Sequence, residues 1–224
     1  MNVPNIETPT IAIAGSSERF PVRRIFCVGQ NYADHAREMG SDPDRQSPFF
    51  FTKPADAVVA SGVTLPFPTR TNDLHHEVEL VVALGAGGAD IDVADAEQLI
   101  FGHAVGLDLT RRDLQATAKK AGRPWDMAKG FDQSAPIGDL TPGAPPPNGR
   151  ITLTIDGDAR QAGDLSHMIW SVAEVIAELS TYVTLAPGDL IFTGTPSGVG
   201  PIRAGEAVRG EIDGVEPVEI VFSA

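Results

Sequence analysis

The chain has 224 residues, a hydrophobic content of 42%, a charged content of 21% and a net charge of −13. A chain of this length can bury a sizeable core without disulfide staples. The acidic balance excludes a general nucleic-acid or anionic-membrane partner, because binding phosphates needs clustered cations.

Taken in chain order, residues 1–21 form a proline-punctuated N-terminal extension around a short strand-like piece, and residues 22–224 read as a single domain. Residues 24–29 are a better strand. Cys27 lies in its apolar middle and reads as a buried core thiol; as the single cysteine it cannot form an intrachain disulfide, which fits a reducing compartment. No signal peptide or membrane-length apolar run is visible, so the expectation is a cytoplasmic protein with no membrane partner. Residues 30–40 read as a short helix capped by Asn31 and ended by Gly40. On it His35 and Glu38 are three apart, hence within hydrogen-bond reach. A glutamate that holds an imidazole raises its basicity and fixes its tautomer, as a general base requires; an exposed His–Glu pair on a surface helix fits the same spacing. The polar residues 41–46 beside it suit a lid. Phe49, Phe50 and Phe51 read as core, and Lys53 before Pro54 reads as either a solvated charge or a cation near a site.

The pattern over residues 74–84 is the most informative. Val78, Leu80, Val82 and Leu84 alternate with Glu77, Glu79, Val81 and Ala83, so on a strand Glu77 and Glu79 share one face. Paired carboxylates on a buried strand need a shared proton, a cationic partner or a metal ion. Asp108, at the end of the apolar run 103–107, can supply a third oxygen. An all-oxygen set suits Mg²⁺, Mn²⁺ or Ca²⁺, whereas a strand end with two solvated glutamates fits the same spacing.

Residues 92–99 read as a short acidic helix capped by Asp92. Thr110 to Asp113 resembles a capping box, and the helix it opens places Arg112 and Gln115 on one side and stops at Gly122. An irregular segment, 123–131, carries Lys129. The proline-rich residues 141–149 read as a linker or surface excursion, and residues 151–155 with Asp156-Gly157 as a strand and hairpin turn. Residues 166–179 form the clearest helical pattern, with Ile169, Val172, Ile176 and Leu179 as its apolar stripe. A strand over 190–196 leads to the glycine-rich loop 197–201, whose backbone amides can approach a ligand closely. A final hairpin turns at Asp213-Gly214.

Six motifs occur in one order. They are Asn31-Tyr32-x-x-His35-x-x-Glu38, Phe51-Thr52-Lys53-Pro54, His75-His76-Glu77-Val78-Glu79-Leu80, Gly106-Leu107-Asp108-Leu109-Thr110-x-Arg112-Asp113-Leu114-Gln115, Lys129-x-Phe131-Asp132-x-Ser134-Ala135-Pro136-Ile137-Gly138 and Gly194-Thr195-Pro196-x-Gly198-Val199-Gly200. Together they resemble the fumarylacetoacetate hydrolase family, in particular its short acylpyruvase branch, over about residues 22–222. Gln30 stands where the family often has an arginine, which bears on substrate preference.

The resemblance implies an α+β, predominantly β fold, a mixed-strand β-roll with short flanking helices, usually paired as a homodimer. It implies that Glu77, Glu79 and Asp108 bind Mg²⁺ or Mn²⁺, with Ca²⁺ less favoured. It further implies that His35 and Glu38 activate water under a lid at residues 31–46, and that Lys129 is a catalytic cation. Arg112, Gln115, Thr195 and Lys53 are the expected substrate contacts. The implied reaction is metal-dependent cleavage of a carbon–carbon bond in a 2,4-dioxo acid, fumarylpyruvate or another acylpyruvate, within aromatic compound catabolism. Oxaloacetate decarboxylation or keto–enol tautomerisation at the same site is the alternative. A module that binds metal and keto acid without catalysis is a third reading, and it leaves His35, Glu38 and Lys129 without a purpose.

Overall fold

A computed structural model describes residues 2–38 and 47–224. The expected lid at 41–46 and the helix stop at Gly40 lie outside the described residues. The fold is predominantly β, as the resemblance implies. Its centre is a mixed sheet in the order Phe49–Lys53, Arg24–Gly29, Asp189–Phe192, Val78–Leu84, Ile100–Leu107, Ala135–Ile137 and Val58–Ala60, with Thr141–Pro142 also paired to Ile100–Leu107. A second sheet, ordered Asp158–Asp164, Arg150–Ile155, Ala207–Ile212, Val215–Phe222 and Val63–Leu65, packs against it. A small ladder of Thr110–Arg111, Leu74–His76 and Gly200–Ile202 lies beside the site.

The strand Val78–Leu84 is buried throughout, because both faces of the central sheet are covered. Val78, Leu80, Val82 and Leu84 join one core with Ile151, Leu153, Ile176, Leu179, Ile220 and Phe222. Val81 and Ala83 join a second core with Ile25, Cys27, Ala104, Leu190 and Phe192. Glu77 and Glu79 continue this second face beyond its apolar part. Ile11, Ile13 and Phe20 pack into the second core, and Thr10–Ala12 pairs with Arg19–Pro21.

Several local expectations are corrected by tertiary contacts. The pattern over 166–179 is broken into a 3-10 turn, Leu165–His167, and a helix, Val172–Tyr182, that starts from a capping box between Ser171 and Glu174. Between them Asn31 takes over the backbone: its carbonyl accepts from Ile169 N–H (2.8 Å), and its side-chain oxygen accepts from Trp170 N–H (2.8 Å). The apolar stripe is therefore Val172, Val175, Ile176 and Leu179. The Asn31 amide donates to the carbonyls of Trp170 and Thr193 and is not a helix cap. The helix Arg112–Lys120 has no side-chain cap; Thr110 lies on the preceding strand, and Asp113 instead accepts from Thr71, Asn72 and Leu114. Asp92 is extended before Val93–Ala96, but its side chain caps nothing among the described residues. Residues 126–129, expected to be irregular, form the short helix Asp126–Lys129.

Gly106 is where the central sheet tolerates no side chain. A Cβ there would lie 2.6 Å from Val81 Cγ2 and 2.8 Å from Phe192 Cε1. Gly106→Ala is expected to destabilise the protein by about 1–3 kcal/mol through overpacking, read from denaturant unfolding.

Candidate active site

The carboxylate cluster follows from sheet register. Val78–Leu84 runs antiparallel to Ile100–Leu107 with Val78 opposite Leu107 and Glu79 opposite Gly106. The ladder extends one step, with Asp108 N–H donating to Glu77 C=O at 2.9 Å. Alternation then puts Glu77, Glu79 and Asp108 on one face, and an oxygen or other ligand atom from each lies within 4.8 Å of the others. All three residues are buried.

Each carboxylate meets its loss of hydration differently. Glu77 accepts from Arg112 Nη2 (2.5 Å) and Lys129 Nζ (2.8 Å). Burial alone favours its neutral form, but the charges of Lys129 and Arg112 prevail and hold its pKa below the ordinary range. Asp108 accepts from Lys129 through Oδ2 at 2.6 Å. Lys53 Nζ stands 2.8 Å from Asp108 Oδ1, yet its hydrogen bonds go to the carbonyls of Leu109 (3.1 Å) and Lys129 (2.5 Å), and Oδ1 itself accepts none. Glu79 accepts the Gly194 amide at 2.7 Å and, among the described residues, faces no such cationic partner. Burial, reinforced by Asp108 and Glu77, pushes its pKa well above the usual carboxylate range. Burial disfavours the Lys129 ammonium, but Asp108 and Glu77 outweigh it and raise its pKa.

Among the described residues, three oxygen donors without sulfur, a hydrogen-bond-free Asp108 oxygen and a buried carboxyl with no cation of its own fit a hard divalent ion. The cluster lines a cavity of about 250 Å³, also lined by His35, Arg112, Gln115, Lys119, Lys129, Thr195 and Gln30. His35 is buried, and its Nδ1 lies 3.2 Å from Glu38 Oε2. A carboxylate only accepts, so Nδ1 carries a proton, and in the neutral imidazole Nε2 keeps a lone pair. Glu38 also accepts the Gly198 amide at 3.2 Å. The amides of Gly194, just before the glycine-rich loop, and of Gly198 within it thus grip two site carboxylates, Glu79 and Glu38.

The expected substrate contacts separate. Gln115 lines the cavity, and its Oε1 accepts from Arg112 Nη1 (2.5 Å), which leaves the Gln115 amide hydrogens to donate. Arg112 is held on three sides, by Glu77, Gln115 and His75 Nδ1 (3.3 Å). Thr195 lines the cavity, but its hydroxyl donates to Val78 C=O and accepts from Gln161, both at 2.8 Å. Lys53 does not line the cavity: it is fully buried behind Asp108 and positions Leu109 and Lys129. Phe49 and Phe51, expected in the core, form the cavity wall with Trp125, at ring-centroid distances of 5.6 and 6.0 Å from it. Alternation on Phe49–Lys53 puts residues 49, 51 and 53 on one face, a signal that Lys53 could have extended to its neighbours. Gln161 was not foreseen: buried on a hairpin strand, it accepts from Val78 N–H, pairs with His76 Nδ1 (2.9 Å) and donates to Thr195 and Pro196.

The family model described as Fumarylacetoacetate (FAA) hydrolase C-terminal matches residues 24–221. The chain belongs to this family. Among solved structures, a fumarylpyruvate hydrolase from Pseudomonas aeruginosa in complex with Mn²⁺ and pyruvate is 50% identical, with a TM-score of 0.96 over 100% of this chain and 99% of that one. A fumarylpyruvate hydrolase from Ralstonia is 41% identical over 186 residues, 81% of this chain and 97% of the relative. An oxaloacetate tautomerase from Escherichia coli is 40% identical over 199 residues, 87% of this chain and 90% of the relative. Among the described residues, no helix of this family member is long and apolar enough to cross a membrane.

Two measurements test the electrostatics. Below its raised pKa Glu79 holds its proton when no ion is present, and an ion displaces it, so Mn²⁺ affinity is expected to rise with pH up to that pKa and to level off above it. Calorimetry in buffers of different ionisation enthalpy should find about one proton released per ion. Lys129→Met leaves Glu77 and Asp108 facing each other without their shared cation. In chelator the variant is expected to lose about 3–5 kcal/mol of stability, and Mn²⁺ is expected to raise its Tm more than that of the parent.

Proposed function

We propose that the protein is a metal-dependent hydrolase that cleaves a carbon–carbon bond of a 2,4-dioxo acid, fumarylpyruvate or another acylpyruvate, to give pyruvate and a carboxylic acid. The observation that carries this reading is the meeting, in one cavity, of the three-carboxylate cluster with an imidazole oriented by Glu38. Holding a keto acid needs only the cluster; adding water needs a base. The proposal extends to Mg²⁺ or Mn²⁺ as the ion and to a homodimer in the cytoplasm.

The residues have these roles in the proposed mechanism. Glu77, Glu79 and Asp108 would hold the ion, which supplies Lewis-acid polarisation at the 2-oxo acid end of the substrate. His35 Nε2 takes a proton from water, and the hydroxide formed adds to the 4-carbonyl. Glu38 keeps the resulting imidazolium in place and stabilises its charge. The Gln115 amide, fixed by Arg112, and the remaining Lys129 N–H can donate to the oxyanion of the tetrahedral adduct. Collapse of the adduct breaks the bond between carbons 3 and 4. The bonding pair goes to carbon 3, and the His35 imidazolium returns a proton there. Phe49, Phe51 and Trp125 give the acyl arm an apolar wall and limit water around it.

Oxaloacetate tautomerisation or decarboxylation is the second reading, favoured by a tautomerase relative as similar as the Ralstonia hydrolase. His35 is equally placed to move a proton at carbon 3 of oxaloacetate. The separating experiment compares turnover of fumarylpyruvate, acetylpyruvate and oxaloacetate, with Mg²⁺ and with chelator. Dioxo-acid absorbance is expected to fall only with the metal. Glu79→Ala should lose metal and turnover together, whereas His35→Ala should retain the metal and lose about 10²–10⁴ in hydrolysis. Wild-type rates in His35→Ala would remove the imidazole from the mechanism, and faster turnover of oxaloacetate than of any acylpyruvate would favour the second reading.

A further inference from the structure

The cations around the cavity are of two kinds. Arg112, Lys129 and, behind them, Lys53 each face a carboxylate of the protein. Lys119 also lines the cavity, but among the described residues its side chain makes no hydrogen bond or ion pair. Its position is set by the helix Arg112–Lys120. Arg112, Gln115, Ala116 and Lys119 follow helical spacing, so one face of the helix runs along the cavity wall. Arg112 grips Glu77 at the near end, and a rise of about 1.5 Å per residue puts Lys119 about 10 Å further along the axis. Lys119 therefore lines the cavity about two helical turns beyond the residue that clamps Glu77.

Charge balance separates possible ligands. Glu77, Glu79 and Asp108 are matched in number by Lys53, Lys129 and Arg112, so a divalent ion adds two unmatched positive charges and Lys119 a third. A 2-oxo acid with a neutral acyl arm brings one carboxylate to the near end and leaves Lys119 unmatched. A ligand with a carboxylate at each end serves both ends.

We propose that Lys119 is a specificity-determining residue that receives a second carboxylate at the far end of the acyl arm. The site then selects dioxo diacids over acylpyruvates with short neutral acyl groups. The proposal rests on the reading of the site as one for 2,4-dioxo acids. Among the described residues, Arg123 is the competing cation. It lines an adjoining cavity of about 440 Å³ that shares Phe49, Phe51, Trp125 and Lys129, but Asp126 lines that cavity too and offsets its charge.

The test uses Mn²⁺-loaded parent protein, Lys119→Gln, Lys119→Arg and Arg123→Gln. Calorimetry measures binding of pyruvate and 2-oxoadipate; steady-state kinetics measure acetylpyruvate and fumarylpyruvate. The parent is expected to bind 2-oxoadipate more tightly than pyruvate. Lys119→Gln should weaken 2-oxoadipate binding and raise KM for fumarylpyruvate about tenfold, the scale of one charged hydrogen bond, with far smaller effects on pyruvate and acetylpyruvate. Lys119→Arg should keep the preference, and Arg123→Gln should match the parent. The proposal is overturned if the parent has no diacid preference, if Lys119→Gln affects both ligands of a pair alike, or if Arg123→Gln carries the loss. A diacid preference that depends on Lys119 in a protein that hydrolyses neither dioxo acid would refute the hydrolase reading while leaving Lys119 as the carboxylate receiver.

Discussion

Three carboxylates on adjacent strands have been taken out of water within 4.8 Å of one another, and the surrounding structure answers that one electrostatic demand. Lys129 bridges two of them, Arg112 clamps the first, and a backbone amide serves the third. Lys53 donates to the carbonyls of Leu109 and Lys129 and adds its charge next to Asp108. Even His75, with Asp73 behind it, braces the Arg112 guanidinium. The cations leave Glu79 as the member whose charge is least compensated, and so as the place where a proton or a metal ion matters most.

The same compensation explains why the cavity suits chemistry better than simple chelation. Cations already joined to carboxylates keep their positions when a small anion enters. Groups with unused capacity, the His35 Nε2 lone pair and the Gln115 amide, line the cavity itself. Donors and a base fixed before substrate arrives need little reorganisation as charge develops.

Much of this was legible in the chain because it depends on strand period. Alternation alone put Glu77 and Glu79 on one face, and a three-residue helical step joined His35 to Glu38. The ordered motifs carried the fold. What escaped was what only tertiary contact decides. Asn31 has the chemistry of a helix cap, but distant carbonyls at Trp170 and Thr193 compete for its amide and break a helical pattern more than a hundred residues away. Lys53 has the chemistry of a substrate contact, but its strand carries it behind Asp108. Gln161 sits in an unremarkable hairpin, and nothing local to it announces that four groups converge there. The glycine loop offered amides for a ligand; the fold assigned that of Gly198 to the protein's own Glu38, and that of Gly194 just before the loop to Glu79.

That last assignment has a mechanical consequence. One short segment between Gly194 and Gly198 fastens both the carboxylate least matched by cations and the partner of the imidazole, and Gly194 follows the Asn31 turn so closely that an added Cβ would meet Asn31 Cβ at 2.8 Å. The two chemical halves of the cavity are therefore set by a common segment, and a displacement of that segment would misalign both together. The wall bearing Gln115 and Lys119 belongs to a separate helix. That helix begins at the Arg112 clamp on Glu77 and passes through Gln115, so only its last turn, at Lys119, can change what the pocket admits without disturbing groups that hold the reacting geometry.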